Sequence, residues 1–398
     1  MAGAIFVVAD PSAGQQGPVA ALVSTAGWAG AAGRVLGQAW LVTPHGTIDP
    51  ADARRQGSDR RLSSDAAPVW RRRVPTPAKT AIKDLRHWRQ AHRFRIDPHG
   101  PWPPDGVTFV WQRHELFQDA GLRLATSLGV PSVLFVPATV VWEAEQWGVR
   151  RPGWGRWLER SAERPVLQAA DVVACGTEVV AEQARRLGVA DERIVLTPTG
   201  VDLDLFGPRA AAGALRRELG LEGRFVVGWV GSFRRFHAIE QAVEASAAVV
   251  GATLLLVGDG PERPRIEALA RARGVPAVFT GTVEHGDLPS YLGAMDAALV
   301  LAPAGAAYHY SPLKLAEYLA AGLPVVAPAV GQLQERLTDG ADAVLVPPHD
   351  TDALVAALTR LRDDPALRDR LGRAARIAAE ARWSWDHQVR RLLDALRS

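Results

Sequence analysis

The feature that most constrains this chain is the alternation of short apolar runs with helical patterns along its 398 residues. Each run is bounded by Gly, Pro or Asp and is followed by a segment with helical periodicity. Continuously apolar strands that alternate with helices are typical of parallel sheets buried on both faces. We predict strands near residues 5–9, 39–42, 107–111, 133–136, 172–174, 194–197, 225–230, 253–257, 278–280, 297–301 and 325–327.

The apolar runs fall into two sets that meet near residues 198–208. A chain of this length usually exceeds one hydrophobic core, so we predict two doubly wound α/β domains facing across a cleft. Ligands of such folds bind at the carboxyl ends of the strands, which favours the cleft as the site. The predicted domains are 1–203 and 204–382, and residues 383–398 are predicted to form a helix that packs back toward the first domain.

Composition excludes several classes of protein. The net charge of +3 is too small to indicate nucleic-acid binding. The single cysteine, Cys175, excludes an internal disulfide, no Cys/His spacing indicates zinc, and we interpret Cys175 as a small buried side chain. The apolar N-terminus lacks a basic leader and no run approaches a membrane span. We therefore predict a cytoplasmic protein without a metal, and leave its oligomeric state open.

One segment, residues 59–97, does not follow the alternation of strands and helices. Residues 59–97 contain eleven Lys or Arg and four Asp or Glu. Three tryptophans lie in or beside this segment: Trp70, Trp88 and Trp102. Ile82, Leu85 and Trp88 recur at helical spacing. We predict a solvated insertion whose apolar stripe packs on the first domain, with an anionic membrane or acidic acceptor surface as the alternative.

Residues 308–327 carry signals for a short helix between two loops. Ser311 is a good N-cap and Pro312 suits the first helical position. Gly322 suits the position after the helix and Pro324 prevents continuation. These signals predict a helix from Pro312 to about Ala321 that feeds a buried strand.

The start of this helix is a candidate diphosphate site. Its free N–H groups and partial positive charge attract anions. Lys314 stands in the first turn, where a cation opposes the helix dipole, so a bound anion explains its position better. Glu317, on the same face, is suited to accept hydrogen bonds from ribose hydroxyls. The alternative is an ordinary capped helix with a solvent-exposed Lys–Glu pair.

Two loops in the second half are further phosphate candidates. The sequence VGSFRRFH at residues 230–237 follows a predicted strand and leads into a helix predicted to start near Ala238. Gly231 permits close backbone approach, and Arg234, Arg235 and His237 are suited to donate to a departing diphosphate. The alternative is a solvated basic turn. The turn around Gly258 is weaker, because it lacks the full dinucleotide-binding pattern.

Taken in order, these segments resemble retaining glycosyltransferases of the GT-B architecture, of the family four (group 1) type. The resemblance rests on the GSF–Arg loop, LLLVGDGPE, GTVEHGDLPSYLGAMDAAL and SPLKLAEYLAAGLPVVAP in the second half. A final Trp383-Ser384-Trp385 patch, which we place in a last helix, adds to it. In the first half, TPTGVDLDLF resembles the interdomain signature of that family, and WQRHELFQDAGLRLA with GVPSVLF resembles its middle N-domain segment.

The resemblance implies a donor site in the second domain. It assigns Glu317 to the donor ribose, with Lys314, Arg234 and His237 as the other catalytic candidates. The implied donor-binding residues are Gly231, Ser232, Gly258, Gly281, Val283, Ser311, Pro312, Leu313 and Leu315. Val283 falls in the region that contacts the nucleobase. The implied acceptor-side residues of the first domain are Gly14, Gln15, Gly17, Arg113, His114 and Glu143, although His114 is more typical of a structural hydrogen-bonding residue than of a catalyst.

The chain departs from the family pattern at the reaction centre. Many members carry a glutamate eight residues before Glu317, where this chain has His309. The change argues against double displacement through that residue and favours front-face substitution, in which the departing phosphate deprotonates the acceptor. The first loop, GQQG, lacks the usual paired glycines, and Pro137 and Ala138 stand where many members have a histidine.

We therefore predict a retaining, metal-independent hexosyl- or N-acetylhexosaminyltransferase. The predicted donor is a UDP-sugar, although the sequence does not separate UDP from GDP, and no other cofactor is expected. The predicted acceptor is a small polar molecule or secondary metabolite, with a lipid-linked acceptor as the alternative. Two other functions remain open, a nucleotide-sugar epimerase on the same fold and a non-catalytic sugar-nucleotide-binding protein. A dehydrogenase is disfavoured because the full dinucleotide pattern is missing.

Overall fold

The computed structural model describes residues 2–9, 19–56, 76–103, 105–207, 213–303 and 308–397. The chain divides into two compact units. The first unit comprises Met1–Pro198, His309–Ser311 and Trp385–Ser398, and the second comprises Thr199–Tyr308 and Pro312–Ser384.

The first unit is built on a seven-stranded sheet with the strand order β3-β2-β1-β4-β5-β6-β7. Its strands are β1 Ala2–Val7, β2 Gly37–Thr43, β3 Gly46–Ile48, β4 Val107–Arg113, β5 Ser132–Val136, β6 Val172–Cys175 and β7 Ile194–Leu196. All neighbours are parallel except the β2–β3 pair. Its helices up to residue 198 are α1 Val19–Leu36, α2 Pro50–Gln56, α3 Thr76–Arg93, α4 Ala120–Leu128, α5 Val140–Gln146, α6 Gly155–Leu158, α7 Arg164–Ala169 and α8 Glu178–Arg186.

The second unit contains a six-stranded parallel sheet with the order β10-β9-β8-β11-β12-β13. Its strands are β8 Phe225–Val230, β9 Ala252–Val257, β10 Ala277–Gly281, β11 Ala297–Leu299, β12 Val325–Pro328 and β13 Val344–Val346. Its helices are α9 Gly213–Glu218, α10 Glu240–Ala248, α11 Arg263–Ala272, α12 Leu288–Gly293, α13 Leu313–Ala320, α14 Gly331–Arg336, α15 Thr351–Asp363 and α16 Pro365–Arg382.

Both sheets are doubly wound, because the strand order reverses once near the middle of each sheet. The strands at the centre of each sheet are buried along nearly their whole length, which is why they read as continuous apolar runs. In the second unit, β8 and β9 pack against α10, α11 and α15 in one hydrophobic cluster. The prediction of two doubly wound α/β domains is confirmed.

The eleven predicted strands are all present, but two more exist that the sequence analysis missed. Both β3 and β13 have three residues and lie at the edge of a sheet. β3 contains one apolar residue and therefore shows no apolar run. β13 has three apolar residues, as β7 does, and its pairing with β12 shows that it is a strand.

The chain ends in α17, Trp385–Ala395, which belongs to the first unit. Its Trp385 ring lies 5.6 Å from the ring of Trp28 in α1. The prediction that residues 383–385 all lie in this helix is wrong. Trp383 caps the end of α16, its carbonyl accepts a hydrogen bond from the Val201 N–H, and Ser384 pairs with Val201 as a β-bridge. This extended pairing separates the two helices.

The basic segment is described from residue 76 onward and forms α3. The predicted packing of its apolar stripe on the first domain is wrong, because Ile82, Leu85 and Trp88 are exposed. The buried side of α3 carries Asp84 instead, whose two carboxylate oxygens accept hydrogen bonds from Arg151 at 2.9 and 3.0 Å. A buried charge must be paired, so this ion pair, rather than the apolar stripe, sets which side of α3 faces inward.

Candidate functional site

The candidate diphosphate site lies at the start of α13. The helix begins at Leu313, and the residue that caps it is Pro312, with φ −71° and ψ 121°. The prediction of Ser311 as the N-cap is therefore wrong. Pro312 has an extended backbone and is itself the last residue before the helix, so the cap lies one residue later than predicted. The Leu315 N–H donates to the Pro312 carbonyl at 3.0 Å. Within the described residues, the Leu313 and Lys314 N–H groups have no recorded hydrogen-bond partner and can receive an anion.

The end of α13 is fixed as predicted. Gly322 adopts φ +67°, a left-handed conformation that favours glycine. The Gly322 N–H donates to the Leu319 carbonyl and the Leu323 N–H to the Tyr318 carbonyl, both at 3.0 Å. This pair of bonds closes the helix and directs the chain into β12.

Lys314 lies against the loop that follows β8. Its Nζ atom stands 4.0 Å from the centre of the Trp229 ring, a cation–π contact. Gly231 has φ +148°, a conformation that favours glycine, and a Cβ there would lie 2.8 Å from the same Nζ. Burial lowers the pKa of Lys314 to about 7, and Glu317 opposes that shift. The amine is therefore poised to gain a proton when an anion binds beside it.

Glu317 is buried on α13 and is hydrogen bonded. His285 Nε2 lies 2.9 Å from its Oε1, and the His285 ring packs edge-on against Phe206 at 5.3 Å. The sequence analysis missed His285. The signal was present, because His285 stands in the GTVEHG segment that follows β10. This contact leaves the second carboxylate oxygen of Glu317 for a ligand.

The loop after β8 is held by backbone hydrogen bonds to the turn after β9. The Gly231 N–H donates to the Val257 carbonyl and the Phe233 N–H to the Asp259 carbonyl, both at 2.9 Å. Gly258 has φ +124°, and a Cβ there would lie 2.0 Å from the Gly231 carbonyl oxygen. The structure thus gives Gly258 a supporting role for the Gly231 loop.

The same loop is tied to α13 from the other side. The Val230 N–H donates to the Tyr318 hydroxyl oxygen at 2.8 Å. Tyr318 is fully buried, and burial raises the pKa of its hydroxyl. Sequence reasoning missed Tyr318, since a tyrosine in an amphipathic helix reads as a core residue. Together with Trp229 and Lys314, it fixes the distance between the loop and the helix start.

His237 stands in a short 3₁₀ turn at Arg235–His237, and the following α10 starts at Glu240 rather than near Ala238. Its Nε2 lies 3.4 Å from Ser232 Oγ. Burial lowers the pKa of His237 to about 2, and the charges of Lys314 and Arg234 add to this effect. The ring is therefore neutral here. A neutral imidazole can still donate one hydrogen bond.

The remaining donor-side candidates differ in exposure and in the unit to which they belong. Arg234 is exposed and Val283 is half-buried. Gly281 ends β10 with φ +75°, and its carbonyl accepts from the Gly258 N–H at 2.9 Å. Ser311 belongs to the first unit, whereas Pro312, Leu313 and Leu315 belong to the second, where the Leu315 side chain is part of the interior.

The acceptor-side candidates belong to the first unit. Gly14, Gln15 and Gly17 lie outside the described residues. His114 is buried, and its Nε2 lies 3.0 Å from Oε1 of the buried Glu163. Glu163 also accepts hydrogen bonds from the N–H groups of Val140 and Val141 at the start of α5. His114 therefore helps to fix α5, which agrees with its interpretation as a structural residue.

Glu143 projects from α5 toward His309. The distance from its Oε1 to His309 Nε2 is 3.4 Å, and the His309 ring packs edge-on against Trp142 at 4.8 Å. His309 is buried, and its carbonyl accepts a hydrogen bond from the Thr177 hydroxyl at 3.2 Å. The residue that replaces the family glutamate is thus paired with a carboxylate from another segment. Arg113, at the end of β4, has its guanidinium 6.0 Å from the Phe135 ring.

Two general findings bear on the class of protein. In the part of the chain that the structure describes, no three His, Cys, Asp or Glu side chains cluster as metal ligands would. Among the same residues, no helix combines the length and apolar composition needed to cross a bilayer. Cys175 is buried, as predicted, and burial raises the pKa of its thiol to about 12.

Comparison with known families identifies the class. Residues 224–364 match the model described as glycosyl transferases group 1, and residues 50–200 match that of a glycosyl transferase 4-like domain. The two matches together support a group 1 glycosyltransferase, as the resemblance indicated.

Curated relatives match part of the chain. The alpha-D-kanosaminyltransferase of Streptomyces kanamyceticus is 30% identical over 58% of this chain and 60% of its own length. The D-inositol 3-phosphate glycosyltransferase of Thermomonospora curvata is 34% identical over 58% of both chains. The 2-deoxystreptamine N-acetyl-D-glucosaminyltransferase of Streptomyces fradiae is 35% identical over 52% of this chain and 50% of its own. The chain thus spans between half and three-fifths of the length of these relatives.

Solved structures share the fold over the whole chain. The HepE protein of Anabaena in complex with UDP and glucose has a TM-score of 0.66 at 15% identity, with all of both chains covered. Sucrose-phosphate synthase from Thermosynechococcus elongatus has a TM-score of 0.68 at 22% identity, with 100% of this chain and 98% of that chain covered. These similarities confirm the predicted GT-B fold class.

Proposed function

We propose that this protein transfers a sugar from a UDP-sugar to a hydroxyl of a small polar acceptor with retention of configuration. The observation that carries the proposal is the convergence of Lys314, Gly231 and Glu317 in the second unit, where a cation, a close-approach glycine and a buried carboxylate lie together. A diphosphate needs positive charge and N–H donors, whereas a ribose needs a carboxylate acceptor. A nucleotide diphosphate supplies both groups at one site.

In this proposal the donor binds along the start of α13. The Leu313 and Lys314 N–H groups and the Lys314 amine receive the diphosphate, and Arg234 adds a second cation. His237 donates as a neutral imidazole. Glu317, whose Oε1 is held by His285 at 2.9 Å, receives the ribose hydroxyls on its second oxygen. The segment around Val283 contacts the base, and Ser232 and Ser311 complete the proposed donor set.

The proposed transfer proceeds on one face of the sugar. The bond between the anomeric carbon and the β-phosphate oxygen breaks, and a bond to the acceptor oxygen forms on the same face. The acceptor proton passes to the departing phosphate oxygen. Lys314 and Arg234 stabilise the charge that develops on the diphosphate, so the proposal assigns no step to a metal ion. The arrangement of His309 with Glu143 in place of a family glutamate supports a route without a carboxylate nucleophile at residue 309.

The proposed acceptor-side residues belong to the first unit. They are Arg113, Glu143, Gly14, Gln15 and Gly17, whereas His114, the other residue that the resemblance implied, has a structural role through Glu163. The names of the three curated relatives refer to aminosugar, inositol phosphate and deoxystreptamine chemistry. Inositol phosphate and deoxystreptamine are small polar molecules, and their place in two of these names supports a small polar acceptor for this chain.

The test is a thermal-shift titration with UDP, GDP and ADP and their sugar conjugates, with and without a chelator. We expect UDP and UDP-sugars to raise the melting temperature with a mass-action dependence on concentration, equally in chelator. Lys314→Ala and Glu317→Gln should each weaken UDP binding at least tenfold, because each loses a charge-assisted hydrogen bond of about 1.5–3 kcal/mol. Product analysis with and without candidate acceptors then separates a transferase from an epimerase, which needs no acceptor.

The matched control is Arg273→Ala with Glu244→Ala, which removes an exposed ion pair of the second unit. This variant should bind UDP as the wild type does. If no nucleotide stabilises the protein, or if Lys314→Ala binds UDP normally, the proposed donor site is wrong. Nucleotide binding without turnover on any acceptor would support a non-catalytic binding protein instead.

A further inference from the structure

Helix α3 carries an exposed surface that the proposed function does not use. Six large hydrophobic residues of the described chain are exposed, and three of them lie on this one helix. Ile82 is 57% exposed, Leu85 48% and Trp88 43%. Since these residues follow one another at intervals of three, they form a continuous stripe along the helix.

The charged side chains that α3 itself exposes are all basic. Five basic side chains of α3 are exposed: Lys79, Lys83, Arg86, Arg89 and Arg93. The only acidic residue of the helix is Asp84, which is buried and bound to Arg151 and Trp154. The exposed side of α3 therefore combines an apolar stripe with a row of cations.

Some other arginines of the chain are neutralised by the protein itself. Arg265 and Arg273, which are exposed, each have a carboxylate within 3.0 Å. Within the described ranges, no ion pair is recorded for the five basic residues of α3. Positive charge that the protein does not neutralise itself is available to an external anion.

The inner side of the helix is firmly attached, so the outer side is presented in a fixed orientation. Asp84 joins α3 to Arg151 and, through a 3.0 Å hydrogen bond, to the Trp154 indole. One helical turn beyond Trp154 lies Trp157, which is also exposed, at 61%. The structure thus places a second exposed indole on the segment that anchors α3.

We propose that α3 binds the surface of an anionic lipid bilayer. Apolar side chains including tryptophan, next to a row of Lys and Arg on a helix, are the composition that lies in the interface of anionic membranes. A symmetric contact with a second copy fits less well, because it would bring five cations of one copy against five of the other. This inference is independent of the proposed function, since it uses none of the donor-site residues.

The test is cosedimentation with vesicles of phosphatidylcholine alone and of phosphatidylcholine mixed with phosphatidylglycerol, without nucleotide. We expect binding to the mixed vesicles only, and weaker binding at high salt. Lys83→Gln with Arg86→Gln should weaken binding roughly 25-fold, at about fivefold for each charge near an anionic surface. Leu85→Ser with Trp88→Ser should weaken it at least about tenfold.

The matched control is Val250→Ser with Ile377→Ser, which removes two exposed apolar side chains from the other unit and should leave vesicle binding unchanged. All variants should melt as the wild type does and keep their UDP response, which separates this test from that of the donor site. The inference is overturned if the protein binds neither vesicle type, or if the Leu85/Trp88 variant cosediments with mixed vesicles as the wild type does. It is also overturned if light scattering shows a wild-type dimer that the Leu85/Trp88 substitutions convert to a monomer. Membrane binding would favour a lipid-linked acceptor over the small polar one.

Discussion

At the residue scale, the candidate donor site depends on a lysine whose pKa lies near neutral pH. Lys314 is surrounded by Trp229 and the Gly231 backbone, and its pKa of about 7 follows from burial that Glu317 only partly opposes. A cation in the first turn of a helix opposes the helix dipole, so Lys314 does not stabilise α13 itself. The environment therefore suits a lysine that becomes fully charged when a diphosphate arrives.

We expect UDP affinity to decrease as pH rises above 7. Below pH 7 Lys314 already carries its proton, but above it each binding event must take up a proton, which costs at most about tenfold in affinity per pH unit. The second ionisation of phosphate, near pH 6, is complete in this range and does not oppose the trend. Isothermal titration calorimetry in buffers of different ionisation enthalpy would measure both the affinity and the proton uptake.

Lys314→Arg is the control for this titration, because an arginine stays charged throughout. Its affinity for UDP should be nearly independent of pH between 7 and 9, whatever its absolute value. A wild-type affinity that is equally flat would show that Lys314 does not titrate on binding. The same pKa shift makes the free energy of unfolding of the wild type rise with pH above 7, because the unfolded chain then holds one more proton than the folded one.

At the element scale, the candidate site consists of the loop after β8, the turn after β9 and the helix α13, which are joined by hydrogen bonds. The turn after β9 packs on the loop after β8, and the Tyr318 hydroxyl ties that loop to α13. Three segments distant in sequence therefore share one rigid arrangement. The sequence motifs indicated each loop separately, but the contacts among the loops follow only from the parallel order of β8, β9 and β10.

We expect Gly258→Ala to disrupt the site although Gly258 contributes no functional side chain. The new Cβ would lie 2.0 Å from the Gly231 carbonyl oxygen, and φ +124° is strained for alanine. The Gly231 loop must shift, so UDP affinity should fall at least tenfold and stability by about 1–3 kcal/mol. Gly223→Ala is the control, because it replaces a left-handed glycine with no neighbour within 4 Å of its Cβ. If Gly258→Ala binds UDP better than Gly223→Ala does, the bracing role is wrong.

At the scale of the whole molecule, the two units divide the candidate residues. Except for Ser311, the proposed diphosphate and ribose contacts lie in the second unit, whereas Arg113, Glu143 and the buried His114–Glu163 pair belong to the first. The segment 309–311 is assigned to the first unit although the chain on both sides of it belongs to the second. His309 is therefore separated from Lys314 by a boundary between units, only five residues away in sequence.

We expect UDP to slow hydrogen exchange mainly in the second unit. The most strongly protected segments should be 229–237, 281–285 and 312–318, because these hold the proposed contacts. Hydrogen-exchange mass spectrometry with and without UDP would measure this, with Lys314→Ala as the control that should lose the protection. Protection confined to the first unit would contradict the assignment of the donor site.

The sequence alone determined the fold class and indicated most residues of the candidate donor site. Buried parallel strands must be continuously apolar, and glycines at close-approach turns have no substitute, so β8, β9, Gly231 and Gly322 were readable from local pattern. The sequence of β3 did not predict a strand, because it contains one apolar residue and depends on β2 for its pairing. The apolar triplet of β13 was missed, although the three-residue strands β7 and β11 were predicted.

Only the tertiary structure decided the partners of these residues. Glu317 could be recognised as a candidate ligand, but its contact with His285 joins segments from different strands. The neutrality of His237 depends on burial and on the nearby Lys314 and Arg234 charges, which no local spacing encodes. For α3, helical periodicity located the apolar stripe, yet the pairing of Asp84 with Arg151 decided that the stripe faces outward. Pattern fixes which side chains share a face, whereas the cost of burying an unpaired charge decides which face is buried.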